Sequence, residues 1–100
     1  DNIHTITNKP SLTILDPWPD QIVSNNFLIR LEWQTQFPFQ KLEFYLDDTL
    51  IKTYNQSASN PFNTQFNFPL NTTNGDHYFK VVIYDQYDNS ELDWLKIIKQ

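Results

Sequence analysis

The stretch Asn74–Asn89, NGDHYFKVVIYDQYDN, constrains the fold of this chain more than any other. It opens with Asn-Gly, a dipeptide suited to turns because both residues accept positive φ, and Gly75 is the one glycine in the sequence. A run of aromatic and β-branched side chains follows, and the stretch closes on an Asp/Asn cluster, which is again turn chemistry. This pattern predicts a long strand at the centre of a β-sheet. Period two then puts His77, Phe79, Val81 and Ile83 on the core face, with Tyr78, Lys80, Val82 and Tyr84 on the other.

The same alternation recurs along the chain. Ser11–Leu15 reads as a short strand, stopped by Asp16-Pro17-Trp18-Pro19-Asp20, where two prolines allow only an edge or a turn. Phe27–Gln34 places Phe27, Ile29, Leu31 and Trp33 on one face. Thr35–Gln40 is a loop around Pro38, and Phe37 and Phe39 must plug the end of the core or meet a partner. Lys41–Asp47 points Leu42, Phe44 and Leu46 inward. Asp47-Asp48 is a tight turn into Thr49–Tyr54. Pro61–Leu70 puts Phe62, Phe66, Phe68 and Leu70 on one face, and Glu91–Lys99 closes the set, with a bulge expected near Trp94-Leu95 where the alternation breaks. Seven strands at roughly ten-residue spacing, with no sustained helical period, predict an all-β sandwich of seven antiparallel strands in two sheets over residues 11–100. Residues 1–10 read as a linker or N-terminal tail.

Composition narrows the function. The chain has 100 residues, enough for one packed core, and sixteen aromatics to build it. With no Cys there is no disulfide framework, thiolate nucleophile or thiolate metal site. A net charge of −5 argues against nucleic acid and against anionic lipid, and no apolar run is long enough to insert in a membrane. Methionine is absent, even at position 1, which suggests an excised domain or a processed fragment.

Two stretches carry a family resemblance. Leu42–Asp48 (LEFYLDD) followed by Thr49-Leu50-Ile51 resembles the V-E-F-Y-V-D-G-x-L-V hairpin of bacterial Ig-like domains. In Asn74–Asn89 the residues Asn74, Gly75, His77, Phe79, Val81, Ile83, Asp85 and Asn89 match that family's N-G-x-H-x-L-x-A-x-A-x-D-x-x-G-N strand and turn, with Asp88 in place of its last glycine. Bulkier Val81 and Ile83 replace its small alanines, so the sheets must pack differently. The resemblance implies an immunoglobulin-like β-sandwich. It also implies a non-catalytic module of extracytoplasmic, cell-surface or secreted prokaryotic proteins, where such domains act as spacers or binding units. Expected partners are neighbouring domains or other surface proteins, and cell-wall polysaccharide if the domain is an accessory of a wall-active enzyme. A third reading makes it a filament subunit, with residues 1–10 as a donor strand for the next copy.

Candidate sites follow from the residue inventory. If the third strand, the long strand and the last share a sheet, Tyr45, Tyr78, Val82, Tyr84 and Trp94 form an outward aromatic patch, suited to a protein interface or to stacking on sugar rings. The competing reading is ordinary cross-strand pairing. Asp85, Asp88 and Asn89, joined by Asp16 or by Asp47 and Asp48, supply the oxygen ligands calcium favours. The preferred reading has Asp85 and Asn89 bonding the turn's own amides, and no cofactor is expected. His77 is read as closing its turn and not as a base or a metal ligand. Glu32 and Glu43 are expected on solvated outer faces, unsuited to catalysis. Asn55-Gln56-Ser57 and Asn71-Thr72-Thr73 are glycosylation sequons.

Overall fold

The computed structural model describes residues 9–55 and 60–100. Most of the N-terminal tail, and with it most of the donor strand of the filament reading, lies outside the described residues, as does most of the Asn55 sequon. Eight strands are present among those described: β1 (Ser11–Asp16), β2 (Gln21–Val23), β3 (Asn26–Gln34), β4 (Phe39–Leu46), β5 (Thr49–Tyr54), β6 (Phe62–Asn67), β7 (Gly75–Asp85) and β8 (Ser90–Lys99). They form a three-stranded sheet, β1-β3-β6, facing a five-stranded sheet, β2-β8-β7-β4-β5. The all-β sandwich expected from the sequence is observed, with eight strands in place of seven and one parallel pair, β2 with β8.

The unexpected strand, β2, follows the proline-rich segment. Pro17 and Pro19 cannot extend the β1 ladder, so the chain leaves the three-stranded sheet there and rejoins the other sheet beside β8. Backbone bonds from Asp20 N to Lys96 O (2.7 Å) and from Gln100 N to Val23 O (2.8 Å) bracket the join.

The core forms where the predicted inward faces meet. Phe27, Ile29 and Leu31 of β3 pack against Leu42, Phe44 and Leu46 of β4 and Phe79, Val81 and Ile83 of β7. Phe79 sits at the centre of the ring cluster, 5.3 Å from Phe27, 5.3 Å from Phe66 and 6.1 Å from Phe44. Of the two loop phenylalanines, Phe39 starts β4 and packs on Trp33 at 5.2 Å, while Phe37 meets Tyr87 edge-on at 4.9 Å.

Two local expectations need correction. The predicted β8 bulge is absent, since the β7–β8 register runs unbroken from Gly75↔Lys99 to Tyr84↔Ser90. The hydrophobic alternation breaks in the sequence because Asp93 takes an inward position, where its Oδ2 accepts the Ile14 N–H of β1 at 3.0 Å, while Leu92 and Trp94 face out. Leu70 is not on the core face, because β6 stops at Asn67 and leaves Leu70 93% exposed in the following turn. The turn at Asn74-Gly75 carries the chain from one sheet to the other, since β6 and β7 belong to different sheets.

The β4–β5 and β7–β8 connections do turn where expected. Asp47 and Asp48 both have positive φ (50° and 65°), as a two-residue hairpin whose twist matches the strands requires. Asp88 has φ 62°. Aspartate thus stands in the left-handed conformation at two positions, Asp48 and Asp88, where the family pattern has glycine.

Candidate functional site

The outer face of the five-stranded sheet collects all five residues of the predicted patch. Cross-strand register sets them in rows: Lys41 beside Tyr84, Glu43 and Leu92 on either side of Val82, Tyr45 and Trp94 on either side of Lys80, and Tyr78 beside Lys96. The rows divide into a closed half and an open half.

In the closed half the tyrosines lie over the sheet and use their hydroxyls internally. Tyr45 OH donates to Glu43 Oε1 at 2.9 Å, and Lys41 Nζ lies 3.6 Å from Glu43 Oε2. Lys41 Nζ sits 4.7 Å from the centre of the Tyr84 ring, and Lys80 Nζ 4.6 Å from that of Tyr45. Burial, followed by a hydrogen bond to Glu43 and the Glu43 charge, pushes the Tyr84 phenol up to about 12. The hydrogen bond to Glu43, with burial and the same charge behind it, also raises Tyr45. Two expectations fail here. Glu43 is not solvated but 9% exposed, and Val82 is buried between Glu43 and Leu92. Side chains long enough to fold back over their neighbours cover what strict alternation assigns to water.

The open half is different. Tyr78 and Trp94 are 52% and 58% exposed, with ring centres 5.8 Å apart and planes inclined at 55°. With Asp47, Asp48 and Lys80 they line a shallow depression of about 410 Å³. Lys80 Nζ lies 3.5 Å from Asp48 Oδ1, so these two charges pair with each other. Leu50 and Leu92 are exposed on the same sheet. Neither leucine was singled out from the sequence, although the outward phase of each strand marks both.

His77 faces inward at the edge of this region and fixes the Asp47 turn. Its Nδ1 lies 2.6 Å from Asp47 Oδ2 and its Nε2 2.7 Å from the Thr73 carbonyl oxygen. Both partners only accept, so the ring donates through both nitrogens as an imidazolium. Burial opposes that charge, but the hydrogen bonds to Asp47 and Thr73 outweigh it and raise the pKa above 6.5. The second Asp47 oxygen accepts the Tyr78 N–H at 2.8 Å. With both nitrogens engaged, His77 ties a turn together, as read from the sequence.

The Asp85 carboxylate is fully buried and its oxygens are directed into the turn. Oδ1 accepts the N–H groups of Tyr87 (2.8 Å) and Asn89 (3.0 Å), and Oδ2 accepts from Asn89 Nδ2 (2.9 Å). Asp16 pairs instead with Arg30 at 3.3 Å. Among the described residues no group of three or more His, Asp or Glu side chains is arranged to hold a metal ion.

Fold and face together define an immunoglobulin-type sandwich with its apolar exposure concentrated on one sheet. The bacterial Ig domain family matches residues 10–81, and the chain belongs to that family. No match is found among curated proteins. Solved structures share the fold at low identity. Fibronectin(III)-like modules of CbhA from Clostridium thermocellum superpose with a TM-score of 0.72 at 18% identity, covering 92% of this chain and 47% of that one. A lytic polysaccharide monooxygenase from Jonesia denitrificans gives 0.65 at 14% identity, over 84% of this chain and 60% of that one. The CARDB domain of the PF1109 protein from Pyrococcus furiosus, solved with di-metal ions, gives 0.51 at 17% identity, over 96% of this chain and 100% of that one.

Proposed function

We propose that this domain is a non-catalytic Ig-like module of a larger extracytoplasmic prokaryotic protein, where it spaces and presents its neighbours. The observation that carries this reading is the course of the chain. The short β3–β4 connection puts the end of β3 and the start of β4 at one pole, and Ser11, paired with Gln34, begins β1 at that same pole. Lys99, paired with Gly75, ends β8 at the other pole. A module entered at one pole and left at the other adds its strand length to a string of domains. For the ten residues of β8 that length is roughly 33 Å. The non-catalytic part of the reading rests on His77, Asp85 and Glu43. Each is committed to hydrogen bonds or ion pairs within the fold.

Three copies joined head to tail should test the spacer role. Small-angle scattering should show the longest dimension growing by about one strand length per copy, and each copy should melt as the single domain does. Copies that fold back on one another, or that lose cooperative melting, would overturn it.

A further inference from the structure

We propose that the open half of the outer face, Tyr78 and Trp94 with Asp48 and Lys80, is a subsite for a segment of neutral polysaccharide. The proposal goes beyond the spacer role and does not depend on it. Its starting point is the uneven distribution of exposed large apolar side chains. Ile22, Leu50, Tyr78, Leu92 and Trp94 all belong to strands of the five-stranded sheet, whereas Leu28 alone is so exposed on the three-stranded one.

The chemistry of the depression selects the occupant. Tyr78 and Trp94 are each more than half exposed, beside groups that accept and donate hydrogen bonds, Asp48 and Lys80. A pyranose ring matches that pairing, with a flat C–H face for the aromatics and a rim of hydroxyls for the carboxylate and the ammonium. Charge selects against an acidic ligand. Asp47 is bonded to His77 and Asp48 to Lys80, while Lys96 is shared by Asp20 at 3.0 Å and Asp76 at 3.9 Å, so none of these cations is left for an anion and the local balance is negative. The depression of about 410 Å³ falls in the size range of small-ligand clefts, about 300–1,000 Å³, but it is shallow and lies on a sheet. It cannot enclose a single sugar, and it suits a run of residues laid across the strands. A protein partner fits less well. An ordinary interface buries roughly 800 Å² per side around an apolar centre, and here that centre is broken by three ion pairs that a flat partner would have to desolvate.

The test uses the 100-residue chain. Cellohexaose, xylohexaose, chitohexaose and mannohexaose would be titrated against it by calorimetry and by tryptophan fluorescence, with oligogalacturonate as the charged control. At least one neutral hexaose should bind and shift the tryptophan emission, and oligogalacturonate should not. Trp94→Ala and Tyr78→Ala should each weaken binding by roughly tenfold or more. Asp48→Asn should weaken it several-fold, and Leu28→Ala on the opposite sheet should leave it unchanged. Circular dichroism melts of every variant separate lost binding from lost folding. The proposal is overturned if no neutral hexaose binds the folded chain, if binding survives Trp94→Ala, or if the charged oligomer binds better. Concentration-dependent dimerisation that Trp94→Ala abolishes would also overturn it, by assigning the face to a second copy. None of these outcomes bears on the head-to-tail scattering result, so the two readings fail separately.

Discussion

Tyr84 and Tyr78 stand on the same face of β7, yet their surroundings give them opposite roles. Tyr84 is half-buried under Lys41, with Glu43 beside it and its phenol pushed up to about 12. Tyr78 is half out in solvent, its nearest ring is another exposed aromatic, and none of its described hydrogen bonds uses the hydroxyl. The difference lies in the cross-strand neighbours. Next to Tyr84, a glutamate on β4 gives both Tyr45 and Tyr84 a reason to fold inward, and the lysines cover the result. Next to Tyr78, the neighbour on β8 is Lys96, already held by Asp20 and Asp76, so nothing draws the ring down. One end of the face has become an extra layer of the fold, and the other has stayed available to a ligand.

The largest effect that sharpens this contrast comes from the other side of the strand. Phe79→Ala removes the ring at the centre of the aromatic cluster and should lower stability by about 3–5 kcal/mol in urea unfolding. Tyr84→Ser should fall below that, at about 1–2 kcal/mol, since it strips a half-buried ring and its contact with the Lys41 ammonium but opens no central cavity. A spectrophotometric titration gives a second handle. The Tyr84 phenolate should appear only near about 12 in the intact protein and at a lower pH in Glu43→Gln. Tyr84→Ser matching Phe79→Ala would mean that the closed half carries as much of the fold as the core.

How much of this was legible in the sequence follows from how local each cause is. Period-two alternation depends on one strand at a time, so β3, β4 and β7 and their inward faces could be read directly. The two-aspartate turn was equally visible. β2 was not, because three residues in a parallel pairing are too few to show a period and the prolines before them signal only an interruption. The burial of Glu43 and Val82 depends on tyrosines and lysines from β4 and β7 reaching across the sheet, which no single strand records. His77 and Asp47 lie 30 positions apart, so the histidine's acidic partner became visible only once β4 and β7 were side by side. The patch residues shared a face as expected, but its division into two halves depends on those same cross-strand contacts.

The next effect is smaller and depends on pH. The folded-state pKa of His77 is raised above its ordinary value, so the stabilisation from its charged form is fully present below about 6.5. That stabilisation is lost as the pH rises through the folded-state value, when the bond to the Thr73 carbonyl or to Asp47 loses its proton. Urea midpoints should therefore decline as the pH rises above about 6.5, and His77→Gln should flatten that slope. Because Asp47 also lines the open half, the comparison predicts that ligand affinity there weakens over the same window while Tyr84 is untouched. A slope that persists in His77→Gln would show that another group holds the turn.

The smallest expected effect decides whether the open half is free of structural duty. Tyr78→Ala deletes an exposed ring, but the hydrogen bonds that fix this position belong to the backbone. Asp47 N donates to Tyr78 O at 2.8 Å, and Tyr78 N donates to Asp47 Oδ1 at 2.8 Å. Alanine keeps both. What disappears is the contact with Trp94 and the β-propensity of tyrosine, together about 1 kcal/mol or less. Thermal melts should thus place Tyr78→Ala above Tyr84→Ser in stability, although the two changes remove similar rings from one strand and one face. If the order were reversed, Tyr78 would be the side chain that holds the sheet and Tyr84 the spare one. The surface available to a ligand would then have to be sought at the Glu43 end.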